Sequence, residues 1–411
     1  MLLTRLAWRS LWRNWRRTLI AMAAVIFAIS LSIIQRGIQY GTYAETINAA
    51  VRMSTGYLQI QKVGYNKTPT LQKSFDLTPK IFDAIKSISQ INGYSPRIQT
   101  DGLLSYRDQS LGTMVMGVSP KSEGLVTDFQ KKINRGHFLS VGNDRSTTEI
   151  VVGYKLLDNL GAKVGDSVVM LAQGFDGTLG NMFVRIGGTF KTGSDEFDRM
   201  GTFMDISDLQ NFLGMDDRIN AVAISVRNQE DVGKIVDRLN RTLKPMGLVA
   251  LSWQELLPQL KQTIELDNSS GVLYIIILLA VVGFGILNTV LMSITERFRE
   301  YGVMLSLGMS QERLVVAVAL EVFFMLVLGF AIGNGIGIAV NSYFVQHPIQ
   351  LGGDVAELYR EYNFAPVLVS SLSFKIFLDS TLTILGISIV AAVYPLWRVL
   401  KLEPLKGIRY T

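Results

Sequence analysis

The sequence predicts an α-helical membrane protein with four transmembrane helices and a large extracytoplasmic α+β domain inserted between helices 1 and 2. Three observations predict it. Four apolar stretches reach or approach the roughly 20 residues that a helix needs to cross a bilayer. Between the first and second of them, residues 39–270 carry the mixed patterning of a soluble domain. The whole net charge sits at one end: residues 1–39 hold Arg5, Arg9, Arg13, Arg16, Arg17 and Arg36 and no acid, and the rest of the chain is balanced.

The 411 residues include 40 basic and 34 acidic side chains, a formal charge of +6. Hydrophobic residues make up 48% and charged residues 18%, the latter against about 25% in a typical soluble protein. Such a chain can bury a core, so intrinsic disorder is excluded. Cysteine is absent, which removes disulfide frameworks, thiolate metal sites and cysteine nucleophiles. An isoelectric point near 9.3 would ordinarily suggest a polyanion partner. Its confinement to the first 39 residues makes it a signal of membrane orientation instead, and no nucleic-acid partner is expected.

Residues 1–17 predict a cytoplasmic amphipathic helix. Trp8, Leu11, Trp12 and Trp15 recur at three-to-four spacing with arginines beside them, as in a helix lying in a membrane interface. Transmembrane helix 1 is expected at 18–38, around the apolar run Leu19–Ile34. Transmembrane helix 2 is expected at 271–294, without a charge. Helix 3, at 314–344, carries only Glu321, and helix 4, at 376–396, only Asp379. Basic residues flank the cytoplasmic ends of membrane helices. The arginine-rich start, and Arg398, Lys401, Lys406 and Arg409 against Glu403 in the tail at 397–411, place both termini in the cytoplasm. The connection 295–313 is then cytoplasmic. The domain at 39–270 lies outside, as does the loop 345–375 with Asp354, Glu357 and Glu361 against Arg360.

Within the large domain, Gly56–Lys62, Arg97–Tyr106, Gly112–Val118, Glu149–Val152, Gly165–Leu171, Phe183–Phe190 and Ala221–Val226 alternate or cluster as strands. Helices are expected from Thr78 to Ile88, with proline at the first helical position, at Tyr154–Leu160 and at Ile206–Leu213. Gln229–Leu243 is amphipathic, with Val232, Ile235, Val236 and Leu239 on one side. The domain reads as two lobes, one split between 44–120 and 220–252 and the other inserted between them. A helical stalk over Trp253–Asp267 leads into the second span.

This domain carries little chemistry. His137 and His347 are the two histidines of the chain, far apart and without a partner at ligand spacing, so neither a zinc site nor a Ser-His-Asp site has material to build on. The acidic groups Asp195, Glu196, Asp198 and Asp216, Asp217 lie near glycines and read as solvated turns. No G-x-x-x-x-G-K-[ST] sequence occurs, so a phosphate-cradling P-loop is absent. No cofactor or metal is expected in this chain, and it is not expected to be an enzyme.

Two membrane-proximal patterns are more informative. Gly329, Gly333 and Gly337 recur every four residues in the third span, a helix-packing face across which backbones can approach closely. Glu321 and Asp379 are intramembrane acids, expected in structural roles, either snorkelling to the interface or hydrogen-bonding to a neighbour. In NTVLMSITERFREYGVMLSLGMSQERL, residues 288–314, the second span should continue through Glu296, Arg297, Arg299 and Glu300. Gly302 and Gly308 should then permit a turn, with Ser310 capping the next helix. Val303, Met304, Leu305 and Leu307 make an apolar knob facing the cytoplasm, which suits a socket on a second protein.

ERFREYGVMLSLGMS resembles the ERxREIGxxRAxGA motif of the FtsX/MacB superfamily of ABC-transporter permeases. AAVYPLWRVLKLEPLKGIRY, residues 391–410, is similar to that family's closing YPAxRAAxLDPxxALR pattern, and LAWRSLWRNWRRT to its opening. The resemblance covers the whole chain and implies a MacB-like periplasmic domain, a dimer of permease chains (the same or a related paralogue) and a separate ATPase subunit that holds ATP and Mg. In that family the 296–310 connection is the coupling helix, which makes Glu296, Arg297, Arg299, Glu300, Gly302, Leu305, Leu307 and Gly308 the ATPase-coupling residues. ATP-driven closure would be relayed to the outside domain without substrate crossing the membrane. The chain departs from the pattern at Tyr301, Leu305 and Ser306, where the family has Ile, Arg and Ala.

YLQIQKVGY, PRIQTDGLLSY, GVSPKSE, NRGHFL and VVGYKLLDNLGAKVGDSVVML resemble the lipoprotein-releasing (LolC/LolE-like) group. That resemblance implies release of lipoproteins from the outer leaflet of the inner membrane, with a periplasmic chaperone or adaptor as a further partner. The first span would line a lateral opening for acyl chains, with Met22, Phe27 and Ile33 as candidates. Two alternatives remain. A MacB-like exporter of peptides or small amphiphiles normally carries its ATPase fused at the N-terminus, and an FtsX-like regulator of an outside hydrolase has a smaller outside domain.

Overall fold

The computed structural model describes residues 2–13, 15–139, 147–361 and 366–401. In chain order its elements are α1 (Leu2–Arg13), α2 (Trp15–Ala50), β1 (Leu58–Lys62), β2 (Phe75–Asp76), α3 (Pro79–Lys86), β3 (Ile91–Tyr106), β4 (Gln109–Val118), α4 (Pro120–Glu123) and β5 (Ile133–Gly136). Then come β6 (Glu149–Gly153), α5 (Tyr154–Leu160), β7 (Ser167–Gln173), β8 (Leu179–Phe190), α6 (Asp195–Met200), β9 (Gly201–Asp205), α7 (Ile206–Leu213), β10 (Arg218–Ile219), β11 (Ala221–Val226), α8 (Val232–Leu243) and β12 (Leu248–Ser252). The last part holds α9 (Trp253–Leu256), α10 (Pro258–Glu296), α11 (Phe298–Ser306), α12 (Gln311–Gln346), β13 (Ile349–Gln350), α13 (Gly353–Glu361), β14 (Val367–Leu368) and α14 (Phe374–Leu400).

These elements fall into two compact units. One comprises Met1–Glu45, Ile264–Val355 and Pro366–Thr411, the other Thr46–Thr263 and Ala356–Ala365. Among the described residues four helical stretches are long and apolar enough to cross a membrane: Thr18–Thr55, Pro258–Gly285, Gln311–Gln346 and Phe374–Leu400. The helices outrun the apolar windows that announce them. α2 continues to Ala50, well past residue 38, because the polar sequence there contains no proline and the backbone ladder propagates through Gly41. The expected stalk from Trp253 is broken at Leu257 (φ −122°, ψ 65°), since proline at 258 forces the preceding residue out of the helical region and opens α10. The closing pattern beyond Lys401 lies outside the described residues.

In the helical unit, α12 packs along α2 through its glycine face. A Cβ on Gly329 would stand 3.0 Å from Val25 Cγ1, one on Gly333 3.1 Å from Ile29 Cβ, and one on Gly337 2.9 Å from Ile33 Cγ2. Only hydrogen leaves room for those branched side chains. Polar groups fasten the same seam: Ser30 Oγ donates to the Gly333 carbonyl at 3.1 Å, and Asn341 Nδ2 to the Ile33 carbonyl at 3.0 Å. Such bonds add to packing where no water competes. This contact corrects part of the acyl-path expectation. Met22 and Ile33 are buried against α12, and only Phe27, 59% exposed, remains on the surface.

In the α+β unit, one ten-stranded sheet runs β12-β1-β11-β3-β4-β9-β6-β8-β5, with β7 bridging β3 and β8. Both segments read as lobes contribute strands to it. Their strands join edge to edge where β4 pairs in parallel with β9, through Met114–Gly201 to Val118–Asp205. The strands expected at Arg97–Tyr106, Gly112–Val118, Glu149–Val152 and Phe183–Phe190 are parts of the longer β3, β4, β6 and β8, β11 has its expected bounds, and β1 and β7 begin later than expected, at Leu58 and Ser167. β3 begins at Ile91, and β5, β9 and β12 add three that weak alternation had hidden. An aromatic cluster fills the core under the junction, with Phe129 4.3 Å from Phe203 and 5.9 Å from Phe190 between ring centroids. α8 lies on β12, where Asn240 accepts from the Ala250 amide at 2.8 Å and donates to its carbonyl at 3.1 Å.

The acidic run at 195–198 is also corrected. It forms α6, and Asp198 is buried, accepting from Thr192 N at 2.7 Å, Thr192 Oγ1 at 2.9 Å and Gly193 N at 3.2 Å. It is therefore a structural carboxylate. Asp195 stays at the surface between Lys155 and Arg199, and Lys155 holds its carboxyl below the usual range.

The α2–α12 seam makes a direct prediction. Gly337→Leu should destabilise the purified protein by about 1–3 kcal/mol through overpacking, read as a lower midpoint of thermal aggregation in detergent. Gly335→Leu, where a Cβ would meet nothing within 4 Å, should leave the midpoint unchanged.

Candidate functional site

The candidate site is the connection between α10 and α12, and its shape follows from three local breaks. α10 ends at Glu296, and Arg297 (φ −96°, ψ 8°) turns the chain into the short helix α11. Gly308 takes φ +97°, a conformation that costs a side chain strain and glycine none. Ser310 then caps α12, its hydroxyl accepting from the Arg313 amide at 3.4 Å. Gly302, expected at a turn, instead sits inside α11 and is buried. The reason is that the break occurs five residues earlier, at Arg297, where the backbone leaves the helical region.

Arg297 organises what surrounds this connection. It is 8% exposed, and its Nη1 donates to Glu321 Oε2 at 3.0 Å and also to Ser10 Oγ. Ser10 Oγ in turn donates to Glu321 Oε2 at 2.9 Å, closing a triangle of α1, the turn and α12. The guanidinium Nε lies 3.2 Å from Glu300 Oε2, and its carbon 5.0 Å from the centre of the Tyr301 ring. Glu300 also receives Arg13 Nη2 at 2.6 and 2.9 Å. Two glutamates thus face two arginines, with no charge left over.

Electrostatics follow from that balance. Burial pushes the Glu300 carboxyl up, but the hydrogen bonds from Arg13 and Arg297 outweigh it and hold the group below the usual range. Burial pushes the Tyr301 hydroxyl up to about 12, against the pull of Arg297, so it stays a neutral ring under the arginine. The isoleucine-to-tyrosine departure at 301 therefore supplies a flat face on which the guanidinium rests.

The structure brings some of the expected coupling residues together and separates others. Arg297 and Glu300 lie in the network. Glu296 and Arg299 are exposed. Of the apolar knob, Leu307 is 83% and Val303 46% exposed, while Met304 and Leu305 pack partly against the helix core. The outward apolar surface is thus narrower than the sequence suggested. Leu11 is buried, whereas Trp8 and Trp12 on α1 and Trp15 at the start of α2 stay exposed, so Leu11 does not share the tryptophan face. Trp8 meets Phe324 edge-on at 5.7 Å. Ser10, Arg13 and Tyr301 belong to the site although none was among the expected coupling residues. The available signal was Glu321, a lone acid in an apolar span that requires a partner.

Among the described residues no group of three or more His, Asp or Glu could hold a metal ion. His137 is a loop residue, its Nδ1 2.9 Å from the Phe138 carbonyl and its Nε2 3.9 Å from Glu149.

The sequence matches the family described as MacB-like periplasmic core domain over residues 18–242 and the FtsX-like permease C-terminal family over residues 272–404. The chain belongs to the FtsX/MacB superfamily of ABC-transporter permeases. Within it, the chain is similar to the lipoprotein-releasing system transmembrane protein LolC of Xylella fastidiosa, 22% identical over 328 residues, 78% of each chain. It is also similar to the macrolide export ATP-binding/permease protein MacB of a Shewanella strain, 21% identical over 355 residues, 84% of this chain and 52% of that one. Among solved structures, the periplasmic region of MacB from Actinobacillus actinomycetemcomitans aligns with a TM-score of 0.35 and 15% identity, covering 54% of this chain and 97% of that one.

The pair Arg13–Glu300 predicts a pH dependence. A carboxylate with its folded pKa depressed adds stability that is fully present above the unfolded value of about 4.3 and is lost as pH falls through the folded value. The thermal midpoint of the purified protein should therefore fall as pH drops through the carboxylate range. Glu300→Gln should flatten that limb.

Proposed function

We propose that this chain is the permease subunit of an ABC transporter that works by mechanotransmission, releasing lipoproteins from the outer leaflet of the bacterial inner membrane. ATP and Mg are held by a separate ATPase subunit. α11 is the coupling helix, seated in that subunit through Leu307 and Val303, and Glu296, Arg299 and the turn at Gly308 frame the contact. Both termini face the cytoplasm. The α+β domain is inserted between the first and second spans on the outer side, where a periplasmic chaperone or adaptor would receive the substrate. A second permease copy, identical or related, completes the transporter.

The observation that carries this reading is the build of the α10–α12 connection. A short helix presents exposed apolar side chains on one side, and on the other is pinned to α1 and α12 through Arg297, Glu300 and Glu321. Exposed leucine is costly in water and suits a partner's socket. A pinned base lets a push on the knob move the helices behind it instead of merely bending a loop. The choice of lipoprotein as substrate is supported by the similarity to LolC over most of both chains. The similarity to MacB supports a second reading, export of peptides or small amphiphiles from the periplasm.

The test is reconstitution of the chain with its ATPase in proteoliposomes holding a fluorescent triacylated lipoprotein. ATP-dependent release into a soluble acceptor is expected. Transport of an amphiphilic peptide with no lipoprotein release would replace the substrate assignment by the second reading. Leu307→Asp should weaken co-purification of the ATPase by at least about ten-fold, roughly 1.4 kcal/mol, while the permease still inserts. Undiminished association would remove α11 as the docking element.

A further inference from the structure

Where the first long helix enters the α+β unit, it is fastened to the central strand of the sheet by a buried ion pair. α2 ends at Ala50 and passes into a single π-helical turn, Val51–Thr55, closed by the Gly56 amide donating to the Val51 carbonyl at 2.7 Å. One π turn leaves backbone carbonyls offset from the α-helical ladder, and such turns recur at functional joints. Arg97, on β3 between β11 and β4, reaches this turn and donates from Nη1 to the Ser54 carbonyl. Its other nitrogens are held by Glu123: Nη2 to Oε1 at 2.6 Å and Nε to Oε2 at 3.1 Å, with the two side chains 4% and 0% exposed. Thr127 Oγ1 donates to the same Oε1 at 2.6 Å.

The turn is held from a second side. Arg52 pairs with Asp128 at 2.9 Å, and the Asp128 amide donates to the Arg52 carbonyl at 3.0 Å. Gln59 on β1 donates to the Thr55 carbonyl at 2.9 Å, and Tyr57 to Asn48 Oδ1 at 3.0 Å. A buried arginine–glutamate pair is a poor device for stability alone, because well-packed apolar residues of like size serve as well or better. What apolar residues cannot supply is a directed hold on a backbone carbonyl. Only a planar guanidinium can grip a carboxylate with two nitrogens and a third group with its remaining one.

We infer that Arg97 and Glu123 are positioning residues that rigidly join the end of α2 to the sheet, so that movement of the helix is delivered to the α+β domain. The inference rests on the mechanotransmission reading and names the joint through which it passes. Without the grip on Ser54, the π turn is the weakest link between helix and sheet, and displacement of α2 dissipates there.

The test is hydrogen exchange on the full chain in complex with its ATPase, with and without a non-hydrolysable ATP analogue. In the natural sequence the analogue should change exchange both in residues 46–55 and in β3–β4. In Arg97→Met/Glu123→Leu, which removes the pair without stranding a charge, the change at residues 46–55 should persist and that at β3–β4 should be lost. Nucleotide-free protection of α8 and β12 reports that the domain is folded. Arg97→Lys, which keeps the charge for Glu123 but not the fork, carries the same expectation should the double variant fail to fold. The chain has no cysteine, so Arg52→Cys/Asp128→Cys adds the only thiols. In the double variant, oxidation to a disulfide should restore the β3–β4 response and reduction should abolish it, which a merely stabilising pair would not do. A response at β3–β4 that survives in both the double variant and Arg97→Lys overturns the joint while leaving mechanotransmission standing. No nucleotide response at β3–β4 in the natural sequence overturns mechanotransmission itself.

Discussion

Arg297 and Glu321 cannot both sit in apolar surroundings unless they sit together. A charge removed from water without a partner costs several kcal/mol, and each of these residues lies where water is scarce: the arginine is 8% exposed, the glutamate belongs to a long apolar helix. Their 3.0 Å contact fixes the turn after α10 against α12, and Ser10 draws α1 into the same contact. The position of α11 then follows. So do the burial of Tyr301 beneath the guanidinium and the approach of Arg13 to Glu300. The pairing of the shielded Arg297 with Glu321 makes this arrangement specific, since a shift of the turn against α12 would leave both charges away from water without a partner.

The rest of the helical unit depends on a different constraint, the absence of side chains. Gly329, Gly333 and Gly337 let α12 lie against Val25, Ile29 and Ile33 of α2, and the polar bonds from Ser30 and Asn341 are possible because the backbones are that near. In the α+β unit the equivalent fixed point is Arg97, which ties the turn after α2 to the central strand. Under the proposed function, the coupling helix is braced at one end of the chain's mechanics and the sheet is gripped at the other. Both holds are made by a guanidinium with more than one acceptor. The chemistry suits the task, because a planar fork resists rotation where a single apolar contact would slide.

Much of the fold was legible in local pattern. The four apolar stretches, the helices at Tyr154–Leu160 and Ile206–Leu213, and the strand at Ala221–Val226 stand where their periodicity put them. β9 and β12 escaped because strands within a sheet can be apolar on both faces or nearly featureless, so alternation fails as a signal. Asp198 escaped for the opposite reason. A carboxylate near glycines looks solvated, and only the folded chain shows three donors converging on it. Gly302 misled because glycine permits a turn without requiring one, and the break came at Arg297, whose side chain is pulled inward. In the site, the motif pointed to the connection, but it could not separate the inward Arg297 from the outward Leu307.

The sequence by itself determined the membrane-protein class, the placement of net charge, the glycine spacing on α12 and the superfamily motif. Each of these is a property of neighbours along the chain, carried by hydropathy, period or local spacing. Only the tertiary structure decided that Ser10, Arg13, Arg297, Glu300 and Glu321 share one network, that Arg97 reaches Ser54, and that the two halves of the domain share one sheet. Several of those contacts span long stretches of chain, 43 positions from Ser54 to Arg97 and 311 from Ser10 to Glu321. Their energy comes from desolvation and geometry at the meeting point, which no stretch of sequence contains until the chain has folded.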